Sequence, residues 1–424
     1  MTDTEYLETA CNAFAVGVLP MPKEWATMPP ATRLAHAKGL HAELLKSDKS
    51  NDAAFRKQNP RLFPKPVAKL ASLPKTAAIR VAFLSPGLLV GGAERWIASL
   101  CRHFDRTAID PVAVLYSQWG HMSPIVERWI PRGIEIRQVA THEMPEACSN
   151  ADVLVSWGQI ALPEFTKNMA IPIVDVQHGT TGFWEQKGLA QAGVDAGAHL
   201  VAVGEACLDN FEPAVRDKVT VIENGAEPDR ACSRMGRAAT RERLGIADNA
   251  KVVLFVGRFA EVKNLKGLAA AVRQLPSEWI VVAAGPQYVP CEELAALGSR
   301  ARILGPVDSP GDLFAAADVF CSPSHHEAHS LAVAEAMLAG VPAVTTDYPA
   351  ATILHKQHGN VSKLVNLNPD ARTLSEAILL ADDRGYGGGR LGTMASLAHS
   401  VSWQHYTAPA MAARWESYLT ERFK

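Results

Sequence analysis

The chain has 424 residues, of which 48% are hydrophobic and 20% are charged. This length predicts two domains with sizeable cores, and the composition excludes a disordered or fibrous chain. The 42 basic and 44 acidic side chains leave a formal net charge of −2, so no overall field draws the protein to nucleic acid or to an anionic membrane.

The cysteines and the first residues bear on the cellular compartment. The seven cysteines are far apart and lack the spacing of zinc ligands, which is typical of reduced thiols. Acidic residues precede the short apolar run of the N-terminus, the reverse of the charge order in a secretory signal. No apolar run approaches the ~20 residues of a membrane-spanning helix. We expect a cytoplasmic protein without a transmembrane segment, and peripheral contact with a membrane surface is left open.

Residues 1–76 are predicted to form a helical extension that ends in a basic linker. From Arg56 to Arg80 the chain carries seven basic side chains, no acid and four prolines. Prolines at this density interrupt any helix, so a solvated, extended linker is expected. The alternative is that this basic stretch contacts an anionic acceptor molecule.

Residues 77–228 alternate strand and helix patterns, which predicts a parallel sheet with ligands at the carboxyl ends of its strands. Gly91 and Gly92 follow the first apolar strand and open a helix. A glycine pair there lets a diphosphate approach a helix N-terminus, or it serves only a tight turn. His178 ends a later strand, so it is either a structural histidine or part of a site.

Residues 229–402 repeat the pattern and predict a second domain, with a cleft between the two. Its first strand runs into Arg258, and Lys263 follows near a helix start. These two cations could clamp a diphosphate and stabilise the charge that develops on it as it leaves. Residues 403–424 are predicted to form a C-terminal helix that packs back on the first domain.

The pair Glu327 and Glu335 lies around the start of a strong helix former that is closed by Gly340. Eight residues of helix span about 12 Å, so two carboxylates at this spacing could hold hydroxyls at separate points on a sugar nucleotide. The alternative is that Glu327 caps the helix and Glu335 is solvated.

Three motifs in this order resemble the retaining family-4 glycosyltransferases, also called glycosyl transferases group 1, over about residues 77–400. They are Gly91-Gly92-Ala93-Glu94-Arg95, then Val256-Gly257-Arg258-Phe259 with Lys263-Asn264, then Pro323-Ser324 through Glu327 to Glu335-Ala336-Met337 with Gly340-Val341-Pro342. The resemblance implies an α/β chain of the GT-B fold, in which two Rossmann-like, doubly wound domains face each other across a cleft. It also implies sugar transfer from a UDP- or GDP-sugar with retention of anomeric configuration.

The resemblance further implies roles for particular residues. Arg258 and Lys263 would bind the donor diphosphate, Glu335 the ribose hydroxyls and Glu327 the hydroxyls of the transferred sugar. Backbone amides of His329, Ser330 and Leu331 would complete the pocket, the pair Gly91-Gly92 would face the donor, and His178 would lie near the sugar. Where many relatives have Glu-Gly-Phe-Gly-Leu, this chain has Glu327-Ala328-His329-Ser330-Leu331, which leaves the identity of the donor sugar open.

No D-x-D motif for a divalent metal is present, so we expect a metal-independent transferase with no cofactor besides its nucleotide-sugar donor. Two alternatives stay open: a sugar-nucleotide epimerase or phosphorylase of the same fold, and a non-catalytic sugar-nucleotide-binding protein. The sequence identifies neither the acceptor nor the oligomeric state.

Overall fold

The computed structural model describes residues 78–117, 120–157, 169–179, 189–382 and 393–424, together with Thr32 and Ala35. The predictions for the helical extension and for the basic linker up to residue 77 otherwise lie outside the described residues. Both sheets belong to the same compact unit of the chain.

The first sheet has seven parallel strands in the order β3-β2-β1-β4-β5-β6-β7. Their bounds are β1 Ile79–Ser85, β2 Ile109–Ser117, β3 Glu135–Val139, β4 Val153–Trp157, β5 Ile173–Gln177, β6 His199–Ala202 and β7 Val219–Val221. The second sheet has six parallel strands in the order β10-β9-β8-β11-β12-β13. Their bounds are β8 Lys251–Val256, β9 Trp279–Ala284, β10 Ala301–Leu304, β11 Val319–Ser322, β12 Ala343–Thr346 and β13 Lys363–Val365.

Helices connect the strands and cover the sheets. In the first domain they are α1 Gly92–His103, α2 Pro124–Glu127, α3 Met144–Ala147, α4 Leu189–Asp195 and α5 Pro213–Arg216. The later helices are α6 Pro228–Ala231, α7 Arg237–Arg243, α8 Leu265–Gln274, α9 Glu292–Ala295, α10 Gly311–Ala316, α11 Leu331–Leu338, α12 Pro349–His358, α13 Ala371–Ala381, α14 Thr393–His405 and α15 Ala408–Phe423. None of the helices in the described ranges combines the length and apolarity that crossing a membrane requires.

The central strands are buried because helices cover both faces of each sheet. Six of the seven residues of β1 are buried, and so are all six residues of β9. Near-continuous apolar runs are what a parallel sheet with two covered faces demands. The strand orders of the two sheets are those of doubly wound domains and match the predicted architecture of two Rossmann-like domains.

The end of the chain crosses from the second sheet to the first. Helix α15 packs on α1, where the rings of Trp415 and Trp96 lie 5.5 Å apart at their centroids. The expected boundary between residues 402 and 403 falls inside α14, so the crossing comes later than the sequence predicts. It lies at Thr407, whose Oγ1 accepts a hydrogen bond from the Ala410 amide at 3.3 Å and caps α15.

Candidate active site

The loops that follow β1, β8 and β11 carry most of the predicted site residues. In each sheet the strand order reverses beside the first strand of the domain, between β1 and β4 and between β8 and β11. Parallel sheets bind ligands outside the carboxyl ends of their strands at such points. The glycine pair follows β1, the two predicted cations follow β8, and Glu327 follows β11.

Glu327 and Lys263 are in direct contact. The Glu327 Oε1 atom accepts hydrogen bonds from the Lys263 ammonium and from Ser324 Oγ, the latter at 2.9 Å. The side chains of Lys263 and Glu327 are 16% and 13% exposed. The pair is therefore largely, but not fully, shielded from bulk water.

Backbone contacts fix the two loops that carry this pair. The His325 amide donates to the Val262 carbonyl at 2.8 Å, and Thr346 Oγ1 donates to the Ser324 carbonyl. Ser330 then caps α11 by accepting from the Val333 amide at 3.5 Å. The first-turn amides and the positive end of the helix dipole lie beside Glu327 and favour an anionic or oxygen-rich ligand.

The glycine pair lies close to this helix start. A Cβ atom on Gly92 would lie 3.7 Å from Leu331 Cδ1, and one on Gly91 would lie only 2.5 Å from Glu94 Oε2. The start of α1 in the first domain therefore lies beside the start of α11 in the second. Two neighbouring helix N-termini favour a ligand that carries negative charge between them.

Glu94 lies in the first turn of α1, next to the glycine pair. No role was predicted for it from the sequence. Its side chain is 6% exposed, and burial raises its pKa to about 7, against the opposing effects of backbone hydrogen bonds and of Arg258. The sequence signal that points to Glu94 is its position in the motif Gly91-Gly92-Ala93-Glu94, directly beside the glycine pair.

Arg258 is exposed, and its guanidinium lies 5.8 Å from the centre of the Tyr288 ring. Within the described parts of the chain it forms no hydrogen bond or ion pair. The structure thus does not join Arg258 to Lys263 or Glu327 by a contact, but leaves the guanidinium available to a ligand in the cleft.

Glu335 is buried on α11, at 4% exposed, and so differs from the solvated alternative. Its Oε1 accepts a hydrogen bond from Arg230 Nε at 2.7 Å, within a buried ion pair. Sequence reasoning missed Arg230 because the two residues are far apart in the chain. The one available signal was an arginine in the short connection that follows the last strand of the first domain.

His178 follows β5 and packs between two tryptophan rings. Its ring centre lies 4.8 Å from that of Trp96 and 5.4 Å from that of Trp157, both edge-on. Burial lowers its pKa to about 3, so the ring is neutral at pH 7. Its buried Nε2 atom has no hydrogen-bond partner among the described residues.

His329 lies on the loop between Glu327 and α11, with its ring centre 5.2 Å from that of Tyr406. Burial, followed by the nearby charge of Arg414, lowers its pKa to about 4. Behind the ring is a cavity that is also lined by Val333, Met337 and Leu354. The histidine therefore sits where an apolar ring would be easy to accommodate.

The described residues contain no group of three or more His, Cys, Asp or Glu side chains that could hold a metal ion. The cations near the site are instead Lys263, Arg258 and Arg230. That the reaction needs no metal stays a prediction.

Part of the chain is similar to known proteins. Residues 250–381 match the family described as Glycosyl transferases group 1. The chain is 32% identical over 231 residues to a D-inositol 3-phosphate glycosyltransferase of Xylanimonas cellulosilytica, covering 52% of this chain and 50% of that protein. It is 27% identical over 271 residues to a phosphatidyl-myo-inositol mannosyltransferase of Mycobacterium leprae, covering 60% and 66%. The chain thus spans about half to two thirds of the length of these relatives.

Solved structures share the fold. The Anabaena protein Alr3699/HepE in complex with UDP-glucose superposes with a TM-score of 0.67 and 19% identity, covering 81% of this chain and all of that chain. WaaG, a glycosyltransferase involved in lipopolysaccharide biosynthesis, gives a TM-score of 0.60 and 16% identity, covering 80% and 99%. At this identity the likeness establishes the GT-B fold alone.

Proposed function

We propose, from the match of residues 250–381 to the glycosyl transferases group 1 family, that the protein transfers a sugar from a UDP- or GDP-sugar to an acceptor with retention of anomeric configuration. One observation carries the proposal. The Lys263–Glu327 pair lies at the start of α11, and Gly92 approaches Leu331 from the opposite wall. A diphosphate would meet a cation and a helix N-terminus there, next to a carboxylate that can hold sugar hydroxyls.

In the proposed mechanism the bond between the anomeric carbon and the diphosphate oxygen breaks, and Lys263 and Arg258 stabilise the charge that develops on the leaving diphosphate. Glu327 orients the sugar by accepting hydrogen bonds from its hydroxyls. The acceptor oxygen bonds to the anomeric carbon on the same face, and its proton passes to the departing diphosphate. His178, neutral at pH 7 because burial lowers its pKa, serves as a hydrogen-bonding group beside the sugar.

The chain is tested by incubation with a panel of nucleoside diphosphate sugars, with nucleoside diphosphate release measured in the presence of candidate acceptors. We expect Glu327→Gln to lower turnover about 100-fold or more, as when an oxyanion donor is removed, because the sugar is no longer held. Nucleotide affinity should change little, since that contact is to the sugar. Glu376→Gln is a matched control, because this exposed glutamate on α13 pairs with Arg372 one helical turn away, at 2.8 Å.

The outcomes separate the alternatives. Phosphate-dependent formation of a sugar 1-phosphate would indicate a phosphorylase, and an altered sugar on an intact donor would indicate an epimerase. Nucleotide binding with no turnover of any donor would indicate a binding protein. Normal turnover in Glu327→Gln would contradict the assigned site. Mass spectrometry of the products identifies the acceptor, with anionic acceptors included in the screen because of the basic stretch before residue 80.

A further inference from the structure

Glu335 is held in place by an arginine from a different part of the chain. Arg230 lies in α6, the short helix that connects the two sheets, and Glu335 lies inside α11. Their side chains are 10% and 5% exposed, and Arg230 Nε donates to Glu335 Oε1 at 2.7 Å. A carboxylate buried to this degree is costly unless it is paired, and Arg230 supplies the pairing charge.

The guanidinium of Arg230 is itself fixed from a second side. Its Nη1 group donates to the backbone carbonyl of Asp308, in the loop after β10. The same carbonyl accepts from Arg95 Nη2 at 3.4 Å, so α1 of the first domain reaches this loop as well. Because Arg230 is bound at both Nε and Nη1, the guanidinium cannot turn without breaking a hydrogen bond.

The pairing leaves one carboxylate oxygen for a ligand. Within the described ranges, Glu335 accepts only the hydrogen bond to Oε1, which leaves Oε2 as an acceptor. We propose that Arg230 is a positioning residue that fixes the Glu335 carboxylate so that its second oxygen receives the ribose hydroxyls of the donor nucleotide. This inference rests on the proposed function, because it takes the ligand to be a nucleoside diphosphate.

A lysine could not replace Arg230 in this arrangement. Its single ammonium is a point charge on a flexible stem, whereas the guanidinium presents donors in a rigid fork. Arg230→Lys would keep the charge and lose the fixed direction of the Nε donor. This difference separates positioning from simple charge neutralisation.

The test compares two ligands in several variants by calorimetry. The ligands are the nucleoside diphosphate that the wild type binds most tightly and its 2′,3′-dideoxy analogue. In the wild type we expect loss of the hydroxyls to weaken binding about 10- to 100-fold, the range for hydrogen bonds to a charged group. In Arg230→Gln and Arg230→Lys the ratio of the two dissociation constants should fall to within about threefold, because Glu335 is no longer oriented.

Three further variants make the result decisive. Glu335→Gln should lose the same ratio, and combining it with Arg230→Gln should lose no more. Arg237→Gln is the matched control, because Arg237 pairs with Asp318 at 2.8 Å in the same domain, and it should keep the wild-type ratio. A merely structural role for Arg230 would weaken both ligands equally and leave the ratio unchanged.

The outcomes also distinguish this inference from the proposed function. If the wild type binds the nucleoside diphosphate but does not discriminate against the dideoxy analogue, the positioning role is overturned while the transferase assignment stands. The same holds if Arg230→Lys and Arg230→Gln keep the wild-type ratio. If the wild type binds no nucleoside diphosphate, both the proposed function and the positioning role fail.

Discussion

At the scale of single residues, burial rather than ion pairing sets the charge of several groups around the cleft. Glu94 and His178 lie in the first domain, and His329 lies in the second. Burial is the largest cause of the shift in each pKa, and in each case it favours the neutral form. Near pH 7 the neutral rings of His178 and His329 and a partly protonated Glu94 thus lie in the same part of the molecule as the cations Lys263 and Arg258.

The effect of burial on the pKa of Glu94 can be tested through the pH dependence of the free energy of unfolding. Its folded pKa is about 7, above the ordinary value of 4.5, so the folded protein holds a proton that the unfolded chain has lost. The contribution of Glu94 to the free energy of unfolding therefore falls as pH rises from 4.5 to about 7. The total loss is about 3 kcal/mol for a shift of this size.

We expect Glu94→Gln to remove this dependence. Urea unfolding of the wild type and of the variant at several values between pH 4.5 and 8 should show the variant gaining relative stability as pH rises, with a plateau above pH 7. A difference between the two proteins that stays constant across this range would show that Glu94 is ionised in the fold throughout.

At the scale of elements, the loop before α8 depends on one asparagine in a left-handed conformation. Asn264 has φ 51° and ψ 45°, and its Oδ1 accepts from the Gly267 amide at 3.1 Å, which caps α8. Asparagine tolerates this backbone better than most residues and also provides the cap. It directly follows Lys263, so the cap also fixes where the loop carrying that lysine ends.

Two substitutions separate the cap from the backbone conformation. Asn264→Ala loses both the cap and the favoured left-handed conformation and should lower the free energy of unfolding by about 2 kcal/mol. Asn264→Gly loses only the cap and should cost a few tenths of a kcal/mol. Denaturant unfolding measures both, and equal losses would show that the backbone conformation contributes nothing.

Elements were predicted well from sequence where the signal is local. The strand β9, for example, consists of six consecutive apolar residues that end at a Gly-Pro pair, a local pattern typical of a strand covered on both faces. The predicted boundary after residue 402 falls inside α14, where no local signal ends the helix, and the cap at Thr407 marks the start of α15. The GT-B fold was predicted from three motifs that follow one another along the chain. The order of the strands within each sheet is not encoded in any local pattern.

The positions of some candidate site residues were predictable from the sequence, and the long-range contacts of others were not. Lys263, Glu327 and the glycine pair were expected beyond strand ends and lie after β8, β11 and β1, because parallel strands bring their carboxyl ends to one edge of a sheet. Their roles in binding stay predictions. Arg230 could not be predicted, since its contact with Glu335 joins residues 105 positions apart through the packing of α6 against α11. The burial of His178 likewise arises from Trp96 and Trp157, which lie on other elements.

At the scale of the whole molecule, the C-terminal crossing ties the two sheets together. Ala226 and Thr407 form a parallel bridge, in which the Ala226 amide donates to the Tyr406 carbonyl and the Ala408 amide donates to the Ala226 carbonyl, each at 2.8 Å. A Cβ atom on Gly225 would lie 2.1 Å from the Thr407 carbonyl oxygen. Only glycine therefore allows the two chain segments that link the domains to lie this close.

After the crossing, α15 completes the core of the first domain. A substitution that weakens its packing should therefore lower stability without changing nucleotide binding by the second domain. Trp415 is fully buried against Trp96, and Trp415→Ala should lower the free energy of unfolding by about 3–5 kcal/mol. Affinity for a nucleoside diphosphate should stay within about threefold, because most residues proposed to bind it belong to the second domain, and additivity holds for distant sites.

Trp403→Ala is the control for this variant, since Trp403 is 44% exposed on α14 and its loss should cost about 1 kcal/mol, as is usual for single substitutions. Denaturant unfolding and calorimetric titration measure the two quantities on the same samples. If nucleotide affinity fell in proportion to stability in Trp415→Ala, the donor site would depend on the packing of the first domain. Gly92, rather than Lys263 and Arg258, would then be the more important contact with the nucleotide.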